Sequence, residues 1–271
     1  MKFSNILWKK KIRRILISLK KKLLNLFIYL ELFYDSLLWS KYIFRKNNKK
    51  DLFPKAKKTF LISNLNSCVG TSKIESLFSI FIKRKGYEIV VLLNRPSFFM
   101  QVIFLAFNNL SFIYLDDFIN NKEKRISEKK AKSLLKKNLT TKYILDYQED
   151  QVRIGKNAFS LVLRNLRVGQ LDFSSSNHRK ELYKNLVLSY NSKIATKKVL
   201  DFITPSLVLF VEKGYSPSGE LFDNAIKNKI QVVQYVSGPE ANKYIFKRYN
   251  KKNRLDHPIS LGKDTISLLK N

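Results

Sequence analysis

"LVLFVEKGYSPSGELFDNAIKNKIQVVQYVSG" runs from Leu207 to Gly238. Two apolar runs, Leu207–Val211 and Gln231–Tyr235, flank a polar turn with Gly214, Pro217 and Gly219, then an amphipathic segment. The order is strand, loop, helix, strand. Parallel strands need a crossover between them, and the crossover is usually a helix, so this stretch predicts a parallel sheet. Its loop can be read as a phosphate cradle, an acceptor-binding loop or a simple turn. Four residues separate Gly214 from Gly219, as in a P-loop, but a P-loop continues with Lys and then Ser or Thr. Here Glu220 and Leu221 follow. A carboxylate repels phosphate, so the loop reads as a turn at a helix N-terminus. Ser218 is the expected cap, and Glu220 and Asp223 suit the positive end of the helix.

The same alternation extends upstream. Strands are expected at Thr59–Ser63, Tyr87–Asn94 and Ser111–Leu115, in addition to Leu207–Val211 and Gln231–Tyr235. "KIESLFSIFIKRKG" has helical spacing at Ile74, Leu77, Phe78, Phe81 and Ile82, with Gly86 as its C-terminal cap. "PSFFMQVIFLAFNN" reads as a helix opened by Pro96. Asn120–Lys142 is Lys-rich and reads as an exposed helix or an insertion. The stretch from Tyr143 to Phe173 is helical with a basic turn, and a long helix precedes Pro205. The fold class is therefore α/β, a parallel sheet with helices on both faces. Ligands of such sheets sit at the carboxyl ends of strands, which points to the loops after Ser63, Asn94 and Val211.

Residues 1–58 differ from the rest. They carry 17 Lys and Arg against 3 Asp and Glu, which is +14 of the net +31. Ile12, Leu16, Leu19, Leu23, Leu26, Leu30 and Phe33 share one helix face. The uncharged run Leu23–Leu30 falls short of the ~20 apolar residues a membrane span needs. No small-residue cleavage site follows, as a secretory signal would require. The segment reads as a basic amphipathic helix. It either packs on the domain or lies on an anionic membrane surface, with a short coiled coil as a third reading.

The excess of 52 Lys and Arg over 21 Asp and Glu marks an attraction to polyanions. Abundant Lys, Asn, Ile, Phe and Tyr with only 8 Gly, 6 Pro and 2 Trp are also what A/T-rich codons produce. One cysteine, Cys68, excludes an intramolecular disulfide and a Cys-based zinc site, and reads as a buried or incidental thiol. His178 and His257 lie far apart, so no His-pair metal motif exists. The loop "NLNSCVGTSKIE" lacks G-x-G-x-x-G; Gly70 and Thr71 stand at a helix N-terminus, and Ser72 with Glu75 fits a capping box. Asp116–Asp117 reads as a solvated loop, and no D-x-D triplet occurs. "KYIFKRYNKKNR" (Lys243–Arg254) interleaves aromatic and basic residues, as single-strand binders do, or reads as the end of an amphipathic helix.

Three segments, in order, resemble bacterial glycosyltransferase-like proteins of capsular and surface polysaccharide biosynthesis. They are "IGKNAFSLVLRNLRVGQLD" (Ile154–Asp172), "EKGYSPSGELFDNAIKNKIQVVQY" and "NKYIFKRYNKKNRLDHPISL". The resemblance spans Ile154 to Leu261, with Lys213 where the family's loop tends to have His. It implies the amino-terminal, Rossmann-like domain of a GT-B architecture at residues 59–271, after the 1–58 leader, and a missing sugar-nucleotide domain. It further implies a nucleotide sugar as donor, no cofactor within this chain, a glycan or lipid-linked acceptor and a second-domain subunit; the single cysteine fits a reducing cytoplasm, and the basic leader offers a peripheral position on the inner face of the plasma membrane as an alternative. Loop position and resemblance together place Gly70, Thr71, Arg164, Arg167, Gly214, Tyr215, Gly219 and His257 as substrate-binding residues. They assign no catalytic residue and no metal. The alternative reading is a basic non-enzymatic protein that binds nucleic acid or a membrane, with specific nucleic-acid recognition not expected.

Overall fold

The computed structural model describes residues 58–260, apart from 67, 98–99, 102–103, 105–109, 137–138 and 241–242. The amphipathic helix expected at residues 12–33 therefore lies outside the described residues. Six strands form one sheet: β1 (Lys58–Ser63), β2 (Tyr87–Leu93), β3 (Ser111–Tyr114), β4 (Leu207–Phe210), β5 (Gln231–Ser237) and β6 (Tyr244–Tyr249). Their order is β3-β2-β1-β4-β5-β6. The first five are parallel, and β6 pairs antiparallel with β5. All five strands expected from the apolar runs are present. The doubly wound α/β architecture is Rossmann-like, and its order reverses between β1 and β4.

The helices are α1 (Val69–Arg84), α2 (Asn121–Leu135), α3 (Thr141–Asp146), α4 (Ile154–Leu166), α5 (Ser176–Ile203) and α6 (Ser218–Lys227). Helical residues Met100, Gln101 and Phe104 lie between β2 and β3. One sheet face, with Leu61, Val90, Leu92, Val208, Phe210 and Val232, packs on Val199 and Leu200 of α5 and on Leu221, Phe222 and Ala225 of α6. The other face, with Phe60, Ile62, Ile89, Val91 and Leu209, meets Ile74, Phe78 and Ile82 of α1 and the side chains of Met100 and Phe104. Burial on both faces is why these strands read as continuous apolar runs rather than alternating ones. A third core holds α2, α3, α4 and α5 together through Leu134, Ile144, Val162, Leu182 and Leu186.

Four local expectations are corrected. Lys243–Arg254 is no helix end: Tyr244–Tyr249 is the edge strand β6, with side chains alternating between the two sheet faces. Ser72 does not cap α1, which begins earlier after Cys68; Ser72 and Glu75 both lie inside it and are buried. The cap of α6 is Pro217, and Ser218 is its first residue. Glu220 and Asp223 do not face solvent at its positive end, because α6 is buried on all sides from Ser218 to Ile226. Cys68 is exposed, which leaves the incidental reading of its thiol. The Lys-rich middle is the helix α2, opened by a capping box between Asn120 and Glu123. Asp116 and Asp117 sit in a short 3-10 turn, Leu115–Phe118, and both are exposed.

Candidate functional site

β4 ends at Phe210, and the chain turns through Val211–Tyr215 before α6 begins. Beside it, β5 presents Gln234 and Val236, α4 presents Lys156 and Asn157 just after its N-cap Arg153, and the segment after β6 returns Arg254–Pro258. These elements enclose a cleft of ≈ 420 Å³ at the carboxyl edge of the sheet. This is the edge where open α/β sheets hold ligands.

The cleft is basic. Arg153, Lys156, Lys213 and Arg254 line it, and Lys247 braces its wall through the carbonyls of His257 and Ser260 at 2.8 and 2.9 Å. Against these five cations stand three carboxylates, Glu212, Asp223 and Asp256. All three are already occupied, Asp256 by Lys247 Nζ at 3.4 Å. Asp223 accepts from Arg153 Nη2 at 2.8 Å and from its backbone N at 3.0 Å, and Glu212 accepts from the backbone N–H groups of Lys213 and Gly214, each at 3.0 Å. Lys213 is the centre of the constellation. Its ammonium donates to the carbonyls of Arg254 (2.9 Å) and Asp256 (2.8 Å) and lies 3.9 Å over the Tyr249 ring. Burial, then Arg153, Lys247 and Lys156, push its pKa down to about 8. Burial and the neighbouring Arg153 lower that of Lys156 too. Burial is the larger cause of both shifts, because it disfavours the charged ammonium, and the neighbouring cations add to it.

The expected site residues divide. Gly214, Tyr215 and His257 line this cleft. Arg164 stacks over the Tyr215 ring at 5.0 Å and so supports its rim. Arg167 ends α4 in the left-handed conformation (φ 57), a role in helix termination. Gly219 packs against Asn157, where a Cβ would meet the amide at 2.5 Å. Gly70 and Thr71 are not brought to the cleft but stand at the start of α1, where Thr71 Oγ1 donates to the Cys68 carbonyl. Sequence reading missed Arg153, Lys156, Asn157 and Arg254. Arg153, Lys156 and Asn157 come from the start of α4 and Arg254 from the segment after β6, and no short motif joins the two.

Two carboxylic acids lie fully buried behind the surface. Glu75 accepts from Asn64 Nδ2 and from Tyr235 Oη (3.3 Å), and burial pushes its pKa up to about 8. Glu220 is bonded to Ser216 (2.7 Å) and Ser189, and burial pushes it up to about 7. Ser189 has one hydroxyl proton but two acceptors in reach, the Ile154 carbonyl at 3.1 Å and Glu220 Oε1. A protonated Glu220 that donates to Ser189 satisfies all three groups.

No family model and no curated protein matches this chain. Among solved structures, a CDPS (cyclodipeptide synthase) from Fluoribacter dumoffii is similar at a TM-score of 0.39 and 10% identity, over 75% of this chain and 95% of that one. The resemblance to polysaccharide glycosyltransferases is overturned, and with it the capsular function and the GT-B assignment: no family model and no curated protein supports it. The physical reason lies in the residues that carried the resemblance, which have roles inside the fold. Gly155 lets α4 pass under the Ile144 carbonyl, Gly219 and Glu220 are buried in α6, and the third segment supplies the edge strand. Among the described residues no helix is long and apolar enough to cross a membrane, and no group of three or more His, Cys, Asp or Glu could hold a metal.

Proposed function

We propose that this protein binds a small phosphate-bearing anion in the cleft between the β4–α6 loop and the Arg254–Pro258 segment. One observation carries the reading: Arg153, Lys156, Lys213 and Arg254 line one cavity, and the nearby carboxylates Asp223, Asp256 and Glu212 are already held by Arg153, Lys247 and backbone N–H groups. Lys156 and Arg254 are the cations with most freedom to reach a ligand. Lys213 is held by two carbonyls and sets the field. Val211, Tyr215, Val236, Leu255 and Pro258 add an apolar lining, so the cavity suits a phosphorylated organic molecule of metabolite size. The glycine loop does not cradle the phosphate as a P-loop would. A cytoplasmic site accords with the exposed free thiol of Cys68.

The test is calorimetry on the full chain with pyrophosphate and with a mononucleotide. Charge-assisted hydrogen bonds contribute about 1.5–3 kcal/mol each, so Lys156→Glu and Arg254→Glu should each weaken binding by about tenfold or more. Lys129→Glu, on the exposed face of α2, alters net charge equally and should leave the affinity within about twofold. Equal losses in all three variants would mean diffuse attraction to a basic surface and would refute the site.

A further inference from the structure

The sheet face opposite α5 and α6 is only partly covered. α1 shields β1 and β2 there, but β5 leads directly through a short turn into β6 rather than into a crossover helix. The place where that helix would lie is an apolar groove of ≈ 290 Å³. Phe60, Leu207, Leu209, Val233 and Phe246 form its floor, and Phe78, Phe81 and Ile82 of α1 form its wall; no polar side chain lines it. Phe81 is 61% exposed and Phe246 52%. Neighbouring large aromatic side chains left open to water on one apolar groove mark a surface that something covers.

We infer that the groove is the docking site of the chain's own amino-terminal segment, through the apolar stripe Ile12, Leu16, Leu19, Leu23, Leu26, Leu30 and Phe33. Three observations select this occupant. First, the segment enters the domain at the groove: the first described residue is Lys58, and Phe60, two residues on, is part of the floor, paired in register with Leu207. Second, the segment is long enough: as a helix, residues 12–33 would measure about 33 Å, which crosses the floor strands β1, β4, β5 and β6, about 14 Å in all, with the middle of the stripe in the groove and its ends beyond it. The residues between Phe33 and Lys58 reach far enough to set the helix at any angle. Third, Phe78, Phe81 and Ile82 present the three- and four-residue ridge that a neighbouring helix packs against. Docking leaves the Lys and Arg around the stripe in water, as their hydration requires.

Cysteine cross-linking in the full chain with Cys68→Ser tests this. Leu23→Cys is combined with Phe246→Cys and, in a second variant, with Phe81→Cys. Asn25→Cys, on the opposite side of the helix, is the control. Thermal melting checks that each variant folds. Mild oxidation at low protein concentration should give an intramolecular disulfide from Leu23→Cys at several times the yield from Asn25→Cys. Equal yields, or no bond in either pairing, would overturn the proposal. Disulfide-linked dimers would assign the groove to a second copy instead. Maleimide labelling of Phe246→Cys that is blocked only when anionic phosphatidylserine vesicles are added would assign it to a bilayer.

Discussion

Single residues explain why this sequence tolerates so little change at certain points. A Cβ on Gly155 would lie 1.8 Å from the Ile144 carbonyl oxygen, a backbone atom that cannot move aside alone. Gly155→Ala should therefore cost about 3 kcal/mol, at the upper end of overpacking, and lower the melting temperature by roughly 6–12 °C for a domain of this size. Gly70→Ala, with open space around it, is the control and should shift it little. Glu75 makes a prediction in pH. Its folded pKa is raised to about 8 from 4.5 by burial, so between those values the folded state holds a proton that the unfolded chain has lost. Stability is then full below about pH 4.5 and falls as pH rises toward 8, with a slope of about 1.4 kcal/mol per unit for this proton. Glu75→Gln should flatten that part of the profile in urea melts taken from pH 5 to 8. An unchanged slope would place the buried proton elsewhere.

Among the elements, α6 shows most clearly what burial does to a polar helix. Every residue from Ser218 to Ile226 is buried, wedged between the sheet and the α4–α5 pair, so each polar group needs a partner inside the protein. Asn224 finds Thr196 Oγ1 at 2.9 Å and the Lys193 carbonyl at 3.0 Å. Asp223 finds Arg153, which also forms the N-terminal cap position of α4, so one ion pair joins two helices and one wall of the cleft. Removing one member of such a pair strands the other. Arg153→Met should cost about 3 kcal/mol, whereas the double variant Arg153→Met with Asp223→Leu should recover most of it. Chemical denaturation of the three variants measures this. If the double variant is as unstable as the sum of the singles, the pair is not what holds α4 against α6.

For the molecule as a whole, the surplus of positive charge is the property that ties fold to ligand. Lys213 has its folded pKa depressed to about 8 from 10.5, so the folded state binds fewer protons than the unfolded chain between those values, and this group's contribution to stability rises with pH across that window. An anion in the cleft favours the charged ammonium and draws the pKa back up. Binding of pyrophosphate at pH 8.5 should therefore take up a fraction of a proton, visible as a buffer-dependent enthalpy in calorimetry. At pH 6.5, where Lys213 is already charged, its contribution should vanish, and Lys213→Met should remove the pH 8.5 uptake. The basis of these predictions is unevenly legible in the sequence. The apolar runs at Thr59–Ser63, Tyr87–Asn94, Ser111–Leu115, Leu207–Val211 and Gln231–Tyr235 determine the strands, because a strand buried on both faces must be apolar throughout. The α/β class follows from their alternation with helical spacing, and the rule that ligands lie beyond strand ends points to the loop with Gly214 and Tyr215, whereas His257 entered only through the resemblance. Only the tertiary structure decides the rest. Arg153 and Lys156 open α4, while Lys213 and Arg254 lie about 60 and 100 residues further on, and a site assembled from such distant segments leaves no local pattern. Glu75, Glu220 and Asp223 look like surface carboxylates by type and position. What they become depends on the elements packed over them: burial raises the pKa of the two glutamates and pairs the aspartate with Arg153, and no neighbour in sequence signals that burial.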